Sequence, residues 1–344
     1  MKNLNPRERL LGALQGTQLD RIPCICPGGM MNMIVTELMH KTNIMWPDAH
    51  TDVDKMTNLA AAVYEYGMFE NYGVPFCMTI EVEGMGAEVD LGNTKFEPRV
   101  VSYVLDTVSD YNKLKQLDTN MGRAKVSIDV ISRLKSKNEG VPVIGNLSGP
   151  TSVASSLMEP VVFYKELRRR KEEAHKFMDL VTDQIMAFGK AQIEAGADVI
   201  AISDPSGTGE ILGPDYFDEF AVKYLNKLID GLHEINKEIP IIVHICGQMH
   251  RVYPELNKIK ADALSFDAMV SIKEVKEQMP GRIIMGNLST YALEFSDKEK
   301  IKIMTRSVLN SGVDIISPAC GLGTQSSLEN IQAMLAAVKE ETHD

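Results

Sequence analysis

The sequence predicts a parallel (β/α)8 barrel with a short helical extension at its start, and three observations lead there. From Val141 onward, short apolar runs alternate with long amphipathic ones. The runs are rich in β-branched residues, as strands buried on both faces are. Each of the later runs ends in a polar or sulfur-bearing residue, and strand C-termini are where a barrel carries its chemistry.

Taken in order, Pro6 to Gln15 has apolar residues at helical spacing and precedes a polar turn, Gly16 to Arg21. Residues 1–21 therefore form the extension, and the whole chain, 1–344, is read as one barrel domain, within the size such barrels reach. Ile22 to Cys26 is strand-like and closed by Pro27-Gly28-Gly29; Asp48 to Gly67 is an amphipathic helix with a glycine stop. Val74 to Ile80 is strand-like, and Val126 to Leu134 is a short helix. Between them Glu81, Glu83, Glu88 and Asp90 crowd around two glycines, either as a solvated loop or as a hard-metal site.

The regular part then supplies six strands: Val141 to Gly145, Ala197 to Ser203, Ile239 to Ile245, Ala261 to Phe266, Arg282 to Met285 and Val313 to Ser317. Helices are expected over Tyr164 to Ala195, Pro214 to Ile235, Ser271 to Gln278, Asp297 to Asn310 and Leu328 to Glu340. With the two earlier strands this makes eight βα units. A doubly wound open sheet would need a glycine-rich phosphate turn after its first strand, and Pro27-Gly28-Gly29 is a poor one.

Composition narrows the function. Hydrophobic residues at 44% and charged residues at 24% suit a globular enzyme with a large core. The net charge of -11 disfavours nucleic acid and anionic membrane as partners. No apolar run spans a bilayer and the start has no secretory segment, so a cytoplasmic protein is expected. Five scattered cysteines do not make a disulfide framework. The 20 methionines are core filler or an adaptable docking face.

The strongest chemical signal is Pro240 to Gly247. On a strand, side chains alternate with period two, so His244 and Cys246 share a face. Cys320 closes the last run and, like Cys246, is followed by glycine. A His/Cys/Cys set is a zinc site with its fourth tetrahedral position open, as catalytic zinc requires. Asp267 reads as a fourth zinc ligand, as a group that orients one, or as a strand-end hydrogen-bonder. Asp204 and Asn287 are candidates for lining the pocket. Cys24, Cys26 and Cys77 have no histidine or third partner nearby and read as buried thiols.

The stretch from Glu70 to Asp90, Ser203 to Leu212, His244-Ile-Cys-Gly247, Met285 to Thr290 and Pro318-Ala-Cys-Gly321 resemble the uroporphyrinogen decarboxylase superfamily. They are most similar to its zinc-dependent methylcobamide:coenzyme M methyltransferase branch, and Glu8 to Gly16 with Asp20-Arg-Ile-Pro23 fits as well. The resemblance implies a (β/α)8 barrel with zinc on His244, Cys246 and Cys320. It also implies methyl transfer from a methylated corrinoid (methylcobamide) to a thiol such as coenzyme M. The chain has no corrinoid-binding Asp-x-His-x-x-Gly, so the corrinoid is expected on a separate partner protein. The decarboxylases hold substrate carboxylates with an arginine-rich N-terminal segment, and Cys24 to Asn32 contains no arginine. Tetrahydrofolate as acceptor, and transfer from a small methylated donor onto the corrinoid, stay open as alternatives.

Overall fold

The apolar runs become strands, and the computed structural model, which describes residues 3–341, arranges them as one curled parallel sheet. Its strands are β1 (Tyr72–Val74), β4 (Val143–Ser148), β5 (Val199–Ser203), β6 (Ile241–Ile245), β7 (Ala263–Phe266), β8 (Ile283–Leu288) and β9 (Ile315–Pro318). They pair in the order β1-β4-β5-β6-β7-β8-β9, with β2 (Glu88–Asp90) and β3 (Arg99–Ser102) as a separate antiparallel hairpin. Core positions of the barrel strands are buried throughout β4, β5, β6, β7 and β9.

The eighth place belongs to Pro23–Cys26, the expected first strand, and its irregularity has a chemical cause. Prolines at 23 and 27 carry no N–H, so a full ladder is not available to this segment. It joins β9 through a single parallel bridge, Cys24 to Ile316, with Ile25 N–H on Ile316 O at 3.0 Å and Ile316 N–H on Pro23 O at 3.0 Å. On the other side Glu70 N–H reaches Cys24 O at 2.9 Å. The Asn71 side chain stands in for the missing ladder, accepting from Cys26 N–H at 3.0 Å and donating to Cys26 O at 2.8 Å. The (β/α)8 barrel is thereby closed.

Three expected elements differ. The strand expected over Val74 to Ile80 lies earlier, at Tyr72–Val74, and residues Ile80–Gly84 are a helix. The helix expected over Tyr164 to Ala195 is two, Pro160–Arg169 and Lys171–Glu194, broken where Arg170 takes φ -131 and ψ 55. The helix expected from Pro214 to Ile235 starts earlier, at Gly209, kinks where Gly213 adopts φ 67, and passes through a π-helical turn, Phe217–Val222, before Lys223–His233. No helix among the described residues is long and apolar enough to cross a membrane.

The leading helix, Pro6–Leu14, starts with a capping box between Asn5 and Glu8 and is clamped to the barrel by buried charge. Arg9 and Arg21 both reach Glu70, which also accepts from Cys24 N–H at 3.1 Å. Arg9 and Glu70 are 3% and 4% exposed. Removing one partner from such a cluster strands the others in low dielectric, which costs about 3–5 kcal/mol. Glu70→Ala is therefore expected to lower the urea midpoint by an amount equivalent to about 3 kcal/mol. A loss below about 1 kcal/mol would show the clamp to be dispensable.

Candidate metal centre

Strand β6 delivers His244 inside its last turn of ladder and Cys246 just past its end. Register pairs His244 with Ser203 of β5 and Ser265 of β7. The imidazole Nε2 lies 3.1 Å from Cys246 Sγ, so the two side chains do share a face. Nδ1 lies 2.9 Å from the hydroxyl of Ser265, which is 1% exposed. Cys320, two residues beyond β9, brings its sulfur within 3.7 Å of Cys246 Sγ and 3.6 Å of Met30 Sδ. The three candidate ligand atoms of His244, Cys246 and Cys320 all lie within 4.8 Å of one another. His244 is buried and both thiols are half-buried, which leaves the sulfur side facing the mouth.

The two thiols shift each other. The hydrogen bond with Cys246 pulls the Cys320 thiol down, helped by His244, while the same bond, with burial behind it, pushes the Cys246 thiol up.

The turn after Cys246 is held from several directions. Gly247 adopts φ 90, a left-handed conformation that favours glycine, and an added Cβ would meet Thr208 Oγ1 at 3.2 Å. Its N–H is bound by Asp267 Oδ2 at 2.7 Å, while Asp267 Oδ1 takes Met269 N–H at 2.8 Å. Each oxygen of Asp267 is therefore engaged with backbone, as a strand-end hydrogen-bonder's would be. Asn287 donates to Asp267 O and Val270 O, each at 2.8 Å, and so anchors the loop after β7. Asp204 does not line the mouth: it is 0% exposed, and its carboxylate caps the helix Pro150–Leu157 through Ser152 N–H and hydroxyl, both at 2.7 Å. Polar residues at strand ends were expected in the pocket; these two instead satisfy backbone that the turns leave unpaired.

Cys24 and Cys26 are both 0% exposed, and burial pushes both thiols up. Cys26 Sγ donates to Met31 O at 3.1 Å. Cys77, also buried, meets Arg123 Nη1 at 3.2 Å.

Of the acidic cluster, Glu88 and Asp90 are exposed on the hairpin, but Glu81 is 2% exposed. It accepts Ser148 N–H at 2.7 Å, and burial pushes its carboxyl up to about 7. Two groups near the centre were not foreseen. Ser265 is one, although its place two residues before Asp267 on a strand beside β6 was a usable signal. Glu97, raised to about 8 by burial and then by Cys77 and Cys320, is the other, and it sits in the tip of a hairpin whose sequence carries no strand pattern.

The family model described as uroporphyrinogen decarboxylase (URO-D) matches residues 5–341. The chain belongs to the uroporphyrinogen decarboxylase family. Within that family it is 31% identical over 341 residues to the methylcobamide:CoM methyltransferase MtbA of Methanosarcina acetivorans, covering 98% of this chain and 99% of the relative. It is 30% identical over 356 residues to the methylcobamide:CoM methyltransferase MtaA of Methanosarcina barkeri, with 99% of each covered. A solved methyltransferase from Methanosarcina mazei superposes with a TM-score of 0.89 at 29% identity, over 98% of this chain and 99% of that one. The likeness to the methyltransferase branch of the uroporphyrinogen decarboxylase family therefore runs end to end.

Proposed function

We propose that this chain is a zinc-dependent methyltransferase that passes a methyl group from a methylated corrinoid, carried by a partner protein, to a small thiol. Coenzyme M is the acceptor named for the relatives. The observation that carries the reading is the donor set of His244, Cys246 and Cys320. Tetrahedral zinc with Zn–S bonds near 2.3 Å needs its sulfurs about 3.8 Å apart, and the two cysteines stand 3.7 Å apart. The Nε2 to Sγ separation, 3.1 Å, is a little tighter than the about 3.5 Å of a bound set, as befits two groups joined by a hydrogen bond.

Zinc at that set would supply the positive charge that keeps an incoming thiol ionised, and hence nucleophilic, at neutral pH. The chain's own groups do the rest. Cys246 and Cys320 would hold the ion as thiolates, balancing its two charges. Ser265 accepts from His244 Nδ1–H, fixing the tautomer that leaves Nε2 free to ligate. Asp267 holds the Gly247 turn and with it the direction of Cys246.

The test is metal analysis joined to a spectrophotometric assay of free methylcobalamin against a panel of thiols. About one zinc per chain is expected, with demethylation only when metal and the right thiol are both present. X-ray absorption should gain one sulfur at about 2.3 Å on adding that thiol. An unchanged sulfur shell beside a reacting thiol would sink the mechanism.

A further inference from the structure

Exposed apolar side chains are unevenly spread over this barrel. Among the described residues, every large one except Ile235 and Ile303 falls between the end of a strand and the barrel helix that follows it, and so on the face where the strands end. His244, Cys246 and Cys320 stand at strand ends on that same face. The side chains of Ile211, Met269, Tyr291, Phe295 and Phe96 are between 47% and 73% exposed there.

Contacts between their loops join them into an arc that passes beside both thiols. Glu210, next to Ile211, accepts Gln248 N–H at 2.8 Å, in the turn just past Cys246. Asp267 ties Gly247 of that turn to the loop of Met269, and Asn287, near the end of β8, ties the same loop to the strand that leads into Tyr291. The Tyr291 and Phe295 rings lie against each other with centroids 4.6 Å apart. Between them in sequence, Glu294 stands so close to Gly323 that a Cβ there would meet its carboxylate at 2.5 Å. One residue on, the Thr324 hydroxyl donates to Lys95 O at 2.9 Å, and the next residue of that turn is Phe96. The segment from Cys320 to Thr324 therefore runs from a candidate metal ligand to the apolar tip of the hairpin.

We propose that this arc is the docking surface for a corrinoid protein that presents an apolar rim around its macrocycle. The docking rests on the methyl-transfer reading above, since that reaction is what brings a corrinoid here. A macrocycle carried on a protein cannot enter a barrel whose interior is filled with side chains. It has to be presented at the sulfur side of the centre, and the loops on that side are the ones that leave apolar groups in water. Aromatic residues and methionine are the types that interfaces favour, and a methionine side chain adapts to what covers it. Covering such groups supplies affinity in proportion to the apolar area removed from water. Ile235 and Ile303, away from this face, are ordinary surface.

The probe is a corrinoid protein of the same organism, one that carries Asp-x-His-x-x-Gly, loaded with methylcobalamin; calorimetry without thiol reads its binding apart from turnover. Phe96→Glu and Tyr291→Glu, both on exposed side chains, are each expected to weaken binding about tenfold or more, as the loss of an interface anchor does. Ile235→Glu and Ile303→Glu are the controls and should leave it within about twofold. Raising salt from about 0.05 M to about 0.5 M should change the wild-type affinity less than about threefold, because an apolar contact is not screened. Demethylation of free methylcobalamin needs no docking and should be the same in all four variants. A wild type that binds the corrinoid protein at this arc but demethylates nothing sinks the reaction and keeps the docking. A wild type that demethylates free methylcobalamin but does not bind the corrinoid protein overturns the docking and leaves the reaction standing. Binding that Phe96→Glu and Tyr291→Glu leave unchanged, or that the controls weaken equally, overturns the placement, and a steep loss with salt overturns its apolar character. Arc variants that turn a dimer into a monomer in sedimentation, with corrinoid-protein binding unaltered, assign the arc to a second copy of this chain and overturn the proposal.

Discussion

Cys246→Ala and Cys320→Ala are each expected to lose the metal on dialysis and, with it, at least a hundredfold in the rate of methylcobalamin demethylation. Three protein ligands are the fewest that hold catalytic zinc tightly. Removing one leaves a histidine and a single thiolate, and it also removes the 3.7 Å contact between the two sulfurs. Ser265→Ala grades the effect. It keeps every ligand but frees the imidazole tautomer, and changes of that kind cost about 10- to 100-fold in metal affinity. Cys24→Ser and Cys26→Ser are the controls: both sites are fully buried, so stability falls while the zinc content holds. Plasma mass spectrometry against circular dichroism separates loss of metal from loss of fold. Full zinc in both alanine variants would falsify the assignment.

The part of this picture that was legible in the sequence is the part governed by short-range periodicity. His-x-Cys on a β-branched run puts two ligands on one face by the geometry of any strand, and the 3.1 Å contact between them is that geometry realised. The late strands were found within a few residues for the same reason. What was not legible depends on how the chain meets itself. Short helices after strand ends, Thr36–Thr42, Pro150–Leu157 and Thr290–Phe295, are too brief to show a face. The hairpin of β2 and β3 has mostly exposed strands and so lacks an apolar alternation. Position marks Asp204 and Asn287 as pocket groups, and Asp267 as a ligand, a group that orients one or a strand-end hydrogen-bonder; all three hold backbone N–H or C=O groups of the turns. From sequence, a polar residue at a strand end looks the same whether it faces a substrate or a loop that needs a partner.

Thiol binding should release close to one proton per molecule bound at any pH below the free thiol's pKa. The ligands fix the sign. With zinc held, as proposed, by two ionised cysteines and a neutral His244, the site would carry no net charge, and a thiol binding as thiolate would have to give up its proton. Apparent affinity then weakens about tenfold for each unit the pH falls, since each released proton is worth about 1.4 kcal/mol per unit. The chain offers few places to keep that proton. Asp267 has each oxygen engaged by a backbone N–H, of Gly247 and of Met269. Glu97, raised to about 8 by burial, already holds its own proton at neutral pH. Glu81, near 7 for the same reason, is tied to Ser148 and only 2% exposed. Calorimetry in two buffers of different ionisation enthalpy counts the protons directly. A count near one in wild type, unchanged in Asp267→Asn, is the expected result. A fractional count that rises to one in Asp267→Asn would make that carboxylate the acceptor after all. A count of zero with thiol binding confirmed would mean the thiol does not reach the metal as thiolate, and the centre would then activate a methylated donor's leaving group instead.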